Sequence, residues 1–290
     1  MKQLLVLSGK GGTGKTTVAS ALIAFSGCRA FADCDVDAPN LHLVMPQMPQ
    51  PQRADYYGFG AAAIDPSLCI RCGQCEAHCR FGAIKDFVVS ETECEGCGVC
   101  VEVCPVQAIT MQDRVSGHQM LYQNDQVTFS TAQLKMGSGA PGKLVSAIRQ
   151  QLVQEASDDV DLAIIDGSPG IGCPVIASIT GVDLVLLVAE PTVSGIHDMK
   201  RILQTANHFD ADCIVCINKF DVNLENTEQI EAYCESLQIP VVGLIPFDKT
   251  VVQAVNRCES IAQYPDSPAG KALKAIWETI DNLYLRDSAE

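Results

Sequence analysis

Ser8-Gly9-Lys10-Gly11-Gly12-Thr13-Gly14-Lys15-Thr16-Thr17 follows an apolar run, Leu4-Leu5-Val6-Leu7, and precedes another apolar segment containing Val18, Ala19, Ala21, Leu22 and Ile23. From Gly9 to Thr16 the stretch fits G-x-x-x-x-G-K-[ST]. The order of buried strand, glycine-rich turn and helix is the setting in which that pattern holds phosphate. Glycines let consecutive backbone N–H groups curl around an anion, and the helix N-terminus adds partial positive charge. Gly11, Gly12, Thr13, Gly14 and Thr17 fall to the cradle. Lys15 is expected to reach the β/γ-phosphates and the Thr16 hydroxyl to ligate Mg²⁺.

The 290 residues can hold one large domain or two smaller ones, and with 47% apolar residues a sizeable core is available. A net charge of −15 speaks against nucleic-acid binding, which needs a basic face. No apolar stretch reaches membrane-spanning length, and the N-terminus runs into the first strand without a signal-peptide pattern. The expectation is a cytoplasmic protein without membrane insertion. Fifteen cysteines, many in tight C-x-x-C groups, then point to metal rather than disulfides.

Those cysteines form an internal repeat at an offset of 25 residues. Cys69-x-x-Cys72-Gly73-x-Cys75-x-x-x-Cys79 with Ala83-Ile84 matches Cys94-x-x-Cys97-Gly98-x-Cys100-x-x-x-Cys104 with Ala108-Ile109. Both copies carry the C-x₂-C-x₂-C-x₃-C spacing of bacterial two-cluster ferredoxins, in which the fourth cysteine ligates the other cluster. The spacing assigns Cys69, Cys72, Cys75 and Cys104 to one [4Fe–4S] cluster, and Cys94, Cys97, Cys100 and Cys79 to the second. Zinc is the competing reading of C-x-x-C pairs, and two four-cysteine runs in register favour clusters over it. Pro105 follows Cys104 as in the ferredoxin pattern, whereas Arg80 stands after Cys79.

The rest of the chain alternates strands and helices. Arg29 to Ala32 reads as a strand that runs into Asp33-Cys34-Asp35-Val36-Asp37-Ala38-Pro39-Asn40-Leu41, three acids at a strand end where a parallel sheet meets its ligand. The Pro- and Gln-rich Val44 to Asp55 reads as a linker. Gln112 to Lys135 reads as irregular, with short β-like pieces at Gln119 to Tyr122 and Gln126 to Phe129. A helix is expected from about Lys143 to Glu155. Asp161-Leu162-Ala163-Ile164-Ile165-Asp166 is an apolar strand ending in an acid, which places Asp166 to hold Mg²⁺, and Gly167 to Gly172 reads as a mobile switch. Further strands (Asp183 to Ala189, Cys213 to Ile217, Val241 to Ile245) and helices (Ser194 to Asn207, Glu225 to Leu237) follow. A last helix, Ala269 to Leu285, has Leu273, Ile276, Trp277, Ile280 and Leu283 on one face. It lacks a cationic face, because Lys271, Lys274 and Arg286 mix with Glu278, Asp281, Asp287 and Glu290, so docking onto the core is expected. Cys213 and Cys216 sit three apart on a strand, face opposite sides, and are read with Cys28, Cys234 and Cys258 as packing residues.

Lys10, directly after the first glycine, gives the loop the form K-G-G-x-G-K-[ST]. In this, in Asp33-x-Asp35 followed by Asn40-Leu41, and in Glu190-Pro191-Thr192 and Asn218-Lys219, the chain resembles the MinD/Mrp superfamily of P-loop ATPases, here with an inserted two-cluster ferredoxin. The resemblance implies a mostly parallel α/β fold, with residues 1–59 and 113–290 as the ATPase and 60–112 as the α+β insert. It implies a nucleotide-sandwich dimer, with itself or with a paralogue, in which Lys10 reaches the partner's nucleotide. It gives Asp35 the attacking water and a place beside Mg²⁺, and puts the base near Asn218, Lys219, Pro246 and Asp248. Asn218-Lys219-x-Asp221 also spells a guanine-reading motif, and the flanking motifs weigh towards ATP. The expected activity is a slow, partner-stimulated ATPase that gates electron transfer through the clusters to a redox partner protein. A cluster or metal carrier and a MinD/ParA-like positioning ATPase with a redox-sensing insert are the alternatives. Cys34 and Cys173 each lie in a switch, which leaves a bridging site at Cys173 or a plain thiol.

Overall fold

Unbroken apolar runs such as Leu4–Leu7, Ala163–Ile165 and Leu184–Ala189 suit strands covered on both faces. The computed structural model describes residues 1–45 and 48–285. Its strands are β1 (Lys2–Leu7), β2 (Ala30–Asp33), β3 (Gln52–Tyr57), β4 (Ala61–Ile64), β5 (Ile84–Lys85), β6 (Val88–Val89), β7 (Ile109–Gln112), β8 (Val115–Gln123), β9 (Thr128–Leu134), β10 (Leu162–Asp166), β11 (Leu184–Ala189), β12 (Cys213–Asn218) and β13 (Val241–Ile245). Among the described residues nine of them form one sheet in the order β13-β12-β11-β1-β10-β2-β9-β8-β3. Pairing is parallel from β13 to β9 and antiparallel at β9-β8 and β8-β3. The result is an α/β fold with a mostly parallel sheet.

Helices Lys15–Ser26, Lys249–Asn256 and Pro268–Ile280 cover one face, burying Val18, Leu22, Ala254, Leu273, Ile276 and Ile280 against Leu4, Val6, Ile164 and Leu186. Helices Pro141–Glu155, Cys173–Ile179, Val193–His208 and Leu224–Ser236 cover the other, where Leu144, Val175, Met199 and Ile230 meet Leu5, Leu7, Ile165 and Val185. Each fully buried aliphatic side chain contributes roughly 1.5–3 kcal/mol, so the two layers dominate stability. Cys216 packs in the first layer and Cys213 against the second, as their spacing on a strand requires.

Residues 61–112 leave the main sheet. β4 and β7 pair antiparallel from Ala61↔Gln112 to Ile64↔Ile109, and β5 pairs with β6. Between them Ala62, Cys75, Ile84 and Ile109 form a small separate core, against which Cys79, Cys94, Cys100 and Cys104 pack.

Four expectations need correction. Gln52 to Asp55, read as the end of a linker, belong to the edge strand β3, which runs on to Tyr57. Its residues are mostly exposed and, among the described residues, it pairs with β8 alone, so its composition is polar, as an edge demands. Gln112 to Lys135, read as irregular with short β-like pieces at Gln119 to Tyr122 and Gln126 to Phe129, supplies a full hairpin, β8-β9, which those pieces overlap. β9 is buried on both faces over 128–132, and Ser130 and Thr131, whose hydroxyls donate to Gln151 Oε1 (2.7 Å) and the Asp33 carbonyl (3.0 Å), break what would be a continuous apolar run. Leu283 is 69% exposed, because the last α-helix stops at Ile280 and a π-turn, Asp281–Leu285, swings it off the core face. Cys258 is exposed. Pro46 and Gln47 of the expected linker, and Arg286, Asp287 and Glu290 of the last helix, lie outside the described residues.

Candidate functional site

Because the central strands run parallel, their carboxyl ends share one edge of the sheet. β1 delivers the phosphate loop there, β2 the acids Asp33 and Asp35, β10 Asp166, β11 Glu190 and β12 Asn218. The loop enters helix Lys15–Ser26 through Gly14, which has φ 94°. A β-carbon on Gly14 would stand 2.4 Å from Asn218 Nδ2, and that amide donates to the Thr13 carbonyl at 2.6 Å. Only glycine meets both demands.

Lys15 Nζ donates to Asp166 Oδ1 at 2.6 Å, and Thr16 Oγ1 donates to Asp166 Oδ2 at 2.7 Å. Lys15 is 6% exposed and Asp166 fully buried. Burial works against the ammonium, but Asp166, Asp33 and Asp35 together hold its pKa above the usual lysine range. Asp33 is also fully buried; its carboxylate accepts backbone N–H groups from Asp35 (3.0 Å), Asn40 (2.8 Å) and Leu41 (2.9 Å) and so shapes the loop that carries Asp35. Burial first, then the Asp166 charge, push Asp33 up to about 7 against the pull of Lys15. Asp35 is likewise raised, mainly by burial.

Lys15, Thr16 and Asp35 face a cleft of about 530 Å³ lined also by Lys10, Gly11, Gly12, Gly14 and Thr17, with Asp33 and Asp166 buried behind it. Pro169 from the glycine-rich turn after β10 reaches the same cleft. That turn is tied to both neighbours: the Gly170 N–H donates to the Ser8 carbonyl (3.1 Å), and the Ser168 hydroxyl donates to the Cys34 carbonyl. Lys10 folds back within its own chain, pairing with Glu190 Oε2 at 3.2 Å and donating to the Thr192 and Ser194 hydroxyls, each at 3.3 Å. Lys219 pairs with the other Glu190 oxygen at 2.8 Å. Burial raises the Glu190 pKa, but the two lysines more than offset it and hold the carboxyl below its ordinary range.

The residues expected at the base are less gathered. Asn218 braces the phosphate loop, Lys219 turns to Glu190, and Asp248 caps helix Lys249–Asn256 through the Thr250 N–H at 2.8 Å while also accepting from the Ala269 N–H at 3.1 Å. Pro246 sits in the loop before that cap. The far wall of the cleft comes instead from Leu43, Val44, Val251, Val255, Cys258 and Ile261. The sequence reading missed them, and the i, i+4 pair Val251/Val255 on a short amphipathic helix was the available signal.

A second constellation lies in the 61–112 segment. One cavity is lined by Cys69, Cys72, Cys75 and Cys104, and another by Cys79, Cys94, Cys97 and Cys100. Each takes three cysteines from one run and the fourth from the other. Burial pushes the Cys75 thiol up, with smaller contributions from Cys69 and Cys72; Cys100 is raised the same way by burial, Cys94 and Cys97. Among the described residues no three His, Cys, Asp or Glu side chains converge to hold a single metal ion, which needs its ligands within about 2.3 Å of one point. Among the described helices none is long and apolar enough to cross a membrane.

The model of the CobQ/CobB/MinD/ParA nucleotide-binding domain matches residues 4–261. An uncharacterized protein of Methanocaldococcus jannaschii is 31% identical over 287 residues, covering 96% of each chain. The iron-sulfur cluster carrier protein of Pyrococcus abyssi is 24% identical, covering 97% of this chain and 85% of its own. Among solved structures, the cell division ATPase MinD of Pyrococcus furiosus aligns with a TM-score of 0.59 at 18% identity, over 97% of this chain and 99% of that one, a likeness of fold.

Proposed function

This chain belongs to the CobQ/CobB/MinD/ParA family of nucleotide-binding domains, and we propose that it is a nucleotide-gated electron carrier, an ATPase whose switches act on an inserted two-cluster ferredoxin domain at residues 60–112. The observation that carries the reading is the crossed lining of the two cysteine cavities, three thiols from one run and one from the other in each. That is the ligand exchange of two-cluster ferredoxins. A donor set of four thiols around each cavity is the one a [4Fe–4S] group takes. Cys69, Cys72, Cys75 and Cys104 would hold one, and Cys79, Cys94, Cys97 and Cys100 the other. When bound, such clusters supply one-electron redox chemistry.

The chain's own residues provide the switch. Gly11 to Thr17 wrap the phosphates of ATP, and Lys15 neutralises the β/γ charge. Thr16 and Asp166, with Asp35 near them, are the residues that would hold Mg²⁺. Asp35 lines the cleft on a loop braced by Asp33, and orients the attacking water. Lys10 is available to a second subunit once it leaves Glu190, which fits a nucleotide-dependent dimer of this chain or of this chain with a paralogue. Pro169 in the cleft gives the turn after β10 a means of sensing the γ-phosphate.

The test is a redox titration of anaerobically purified protein followed by EPR, with and without MgATP and a non-hydrolysable analogue. A nucleotide-dependent shift in potential or spectrum is expected in the native protein and absent in Lys15→Ala, which keeps its iron and loses nucleotide binding. Signals indifferent to nucleotide would overturn the gating. The likeness to a cluster carrier favours a second reading, delivery of clusters to an acceptor. It requires iron to leave the protein when an apo-acceptor and MgATP are added; under the electron-carrier reading the iron stays.

A further inference from the structure

The two cysteine cavities are not equivalent with respect to the nucleotide site. Both carry exposed apolar side chains, Ile70 (62%) at the first and Phe81 and Val99 (49% and 43%) at the second, and they differ in what else they touch. The second is pressed onto the ATPase body. Its segment Thr92–Gly98 lies flat on the junction at Phe59-Gly60: a β-carbon at Gly96 would stand 2.5 Å from the Gly60 carbonyl oxygen and 2.7 Å from Phe59 Cβ. The loop before helix Pro141–Glu155 meets the same segment. A β-carbon on Gly139 would stand 2.8 Å from Glu95 Oε2, and one on Gly137 3.3 Å from the Thr92 carbonyl oxygen. Lys143 places its ammonium 4.3 Å from the centre of the Phe59 ring, within cation–π range.

The first turn of helix Pro141–Glu155, which that loop opens, packs on Cys173, the residue that ends the turn reaching the nucleotide cleft. A β-carbon at Gly142 would lie 3.1 Å from the Cys173 carbonyl oxygen and 3.3 Å from its Cβ. Cys173 opens helix Cys173–Ile179, three residues after Gly170 is tied to the phosphate loop. Ala140, the N-cap of helix Pro141–Glu155, is held at φ 65°, in the left-handed region that costs a residue with a β-carbon energy and marks a place where the chain is over-determined by its neighbours. Closely packed backbone passes on a displacement instead of absorbing it.

We infer that the cavity lined by Cys79, Cys94, Cys97 and Cys100 is the nucleotide-sensing one of the two, reached from Cys173 through Gly142, Gly139 and Glu95, and that the cavity lined by Cys69, Cys72, Cys75 and Cys104 lies off this route. The inference rests on the proposed nucleotide switch and adds the route and the recipient. Coupling requires one element with two arrangements that both sites bias, and residues 137–142, which touch both 92–98 and Cys173, are proposed for that part.

Hydrogen–deuterium exchange on the intact, anaerobically purified protein tests it, with and without a non-hydrolysable ATP analogue and Mg²⁺. Exchange at residues 92–98 is expected to slow about fivefold on nucleotide binding, the low end of ordinary coupling between sites, together with 137–142 and 167–173. Residues 66–76 should stay unchanged. In Phe59→Ala/Glu95→Ala, which alters no cysteine and no residue of the cleft, 167–173 should still respond while 92–98 no longer does. Equal responses at 66–76 and 92–98, or a response at 92–98 that survives the double substitution, would overturn the route. No response at 167–173 in protein shown by equilibrium dialysis to have bound the analogue would overturn the switch itself, and the inference with it.

Discussion

Cys104→Ala/Cys69→Ala protein is expected to retain about half the iron of the native chain, and Cys104→Ala/Cys94→Ala protein almost none. The contrast follows from which cysteines share a cavity. Cys104 lies thirty-five residues beyond Cys69 and only ten beyond Cys94, so a reading by sequence neighbourhood pairs it with Cys94. The cavities pair it with Cys69, Cys72 and Cys75. Two substitutions at one site act on the same group and do not add, whereas substitutions at separate sites do. Iron and acid-labile sulfide per chain, measured on anaerobically reconstituted proteins, decide the matter. About half the iron in Cys104→Ala/Cys94→Ala and almost none in Cys104→Ala/Cys69→Ala would show that each run ligates its own cluster. Cys94 and Cys104 pack at the margin of the small core, whose Ala62, Ile84 and Ile109 are unchanged in either protein, so the segment retains those apolar contacts around the surviving site.

The same cysteines show why parts of this chain are legible in its residues alone. A repeat of four thiols, a glycine loop between two apolar runs and an acid at the end of Ala163-Ile164-Ile165 are local patterns, and local patterns survive in sequence. The alternation of strand and helix marks out the parallel half of the sheet for the same reason. What escaped was set by the tertiary neighbourhood. β3 is a polar edge, and β9 buries hydroxyls that find Gln151 and the Asp33 carbonyl, so neither carries the apolar rhythm of a strand. The far wall of the cleft comes from Val251, Val255, Cys258 and Ile261, more than two hundred residues from the phosphate loop. Lys10 was legible as a special charge, but its ties to Glu190, Thr192 and Ser194 exist only because β11 lies beside β1.

Asp166→Asn is expected to lower MgATP hydrolysis by at least about a hundredfold, the scale of losing one transition-state electrostatic contact, and to flatten the pH dependence of stability. In the native chain Asp166 receives Lys15 on one oxygen and Thr16 on the other. An asparagine keeps the shape, but its NH₂ cannot accept from either, and it removes the charge that balances a buried ammonium. Removing one partner of a buried pair costs about 3–5 kcal/mol where nothing replaces it. Here Asp33 is at hand to take up the lysine's charge, so the cost should fall below that range. Asp33 also fixes the sign of the pH effect. Its carboxyl is raised from 3.8 to about 7 by burial and by Asp166. Between those values the folded chain holds a proton that the unfolded chain has released, so this group makes the native protein less stable as pH rises from about 4 to about 7. With Asp166 neutral, the like charge is gone while Lys15 remains, and the Asp33 pKa drops back. Urea melts of the nucleotide-free proteins between pH 5 and 8 should therefore show native stability falling with pH more steeply than that of Asp166→Asn. Parallel pH profiles would mean that Asp33 and Asp166 do not share the lysine. A native-like hydrolysis rate in Asp166→Asn would remove Asp166 from the nucleotide chemistry altogether.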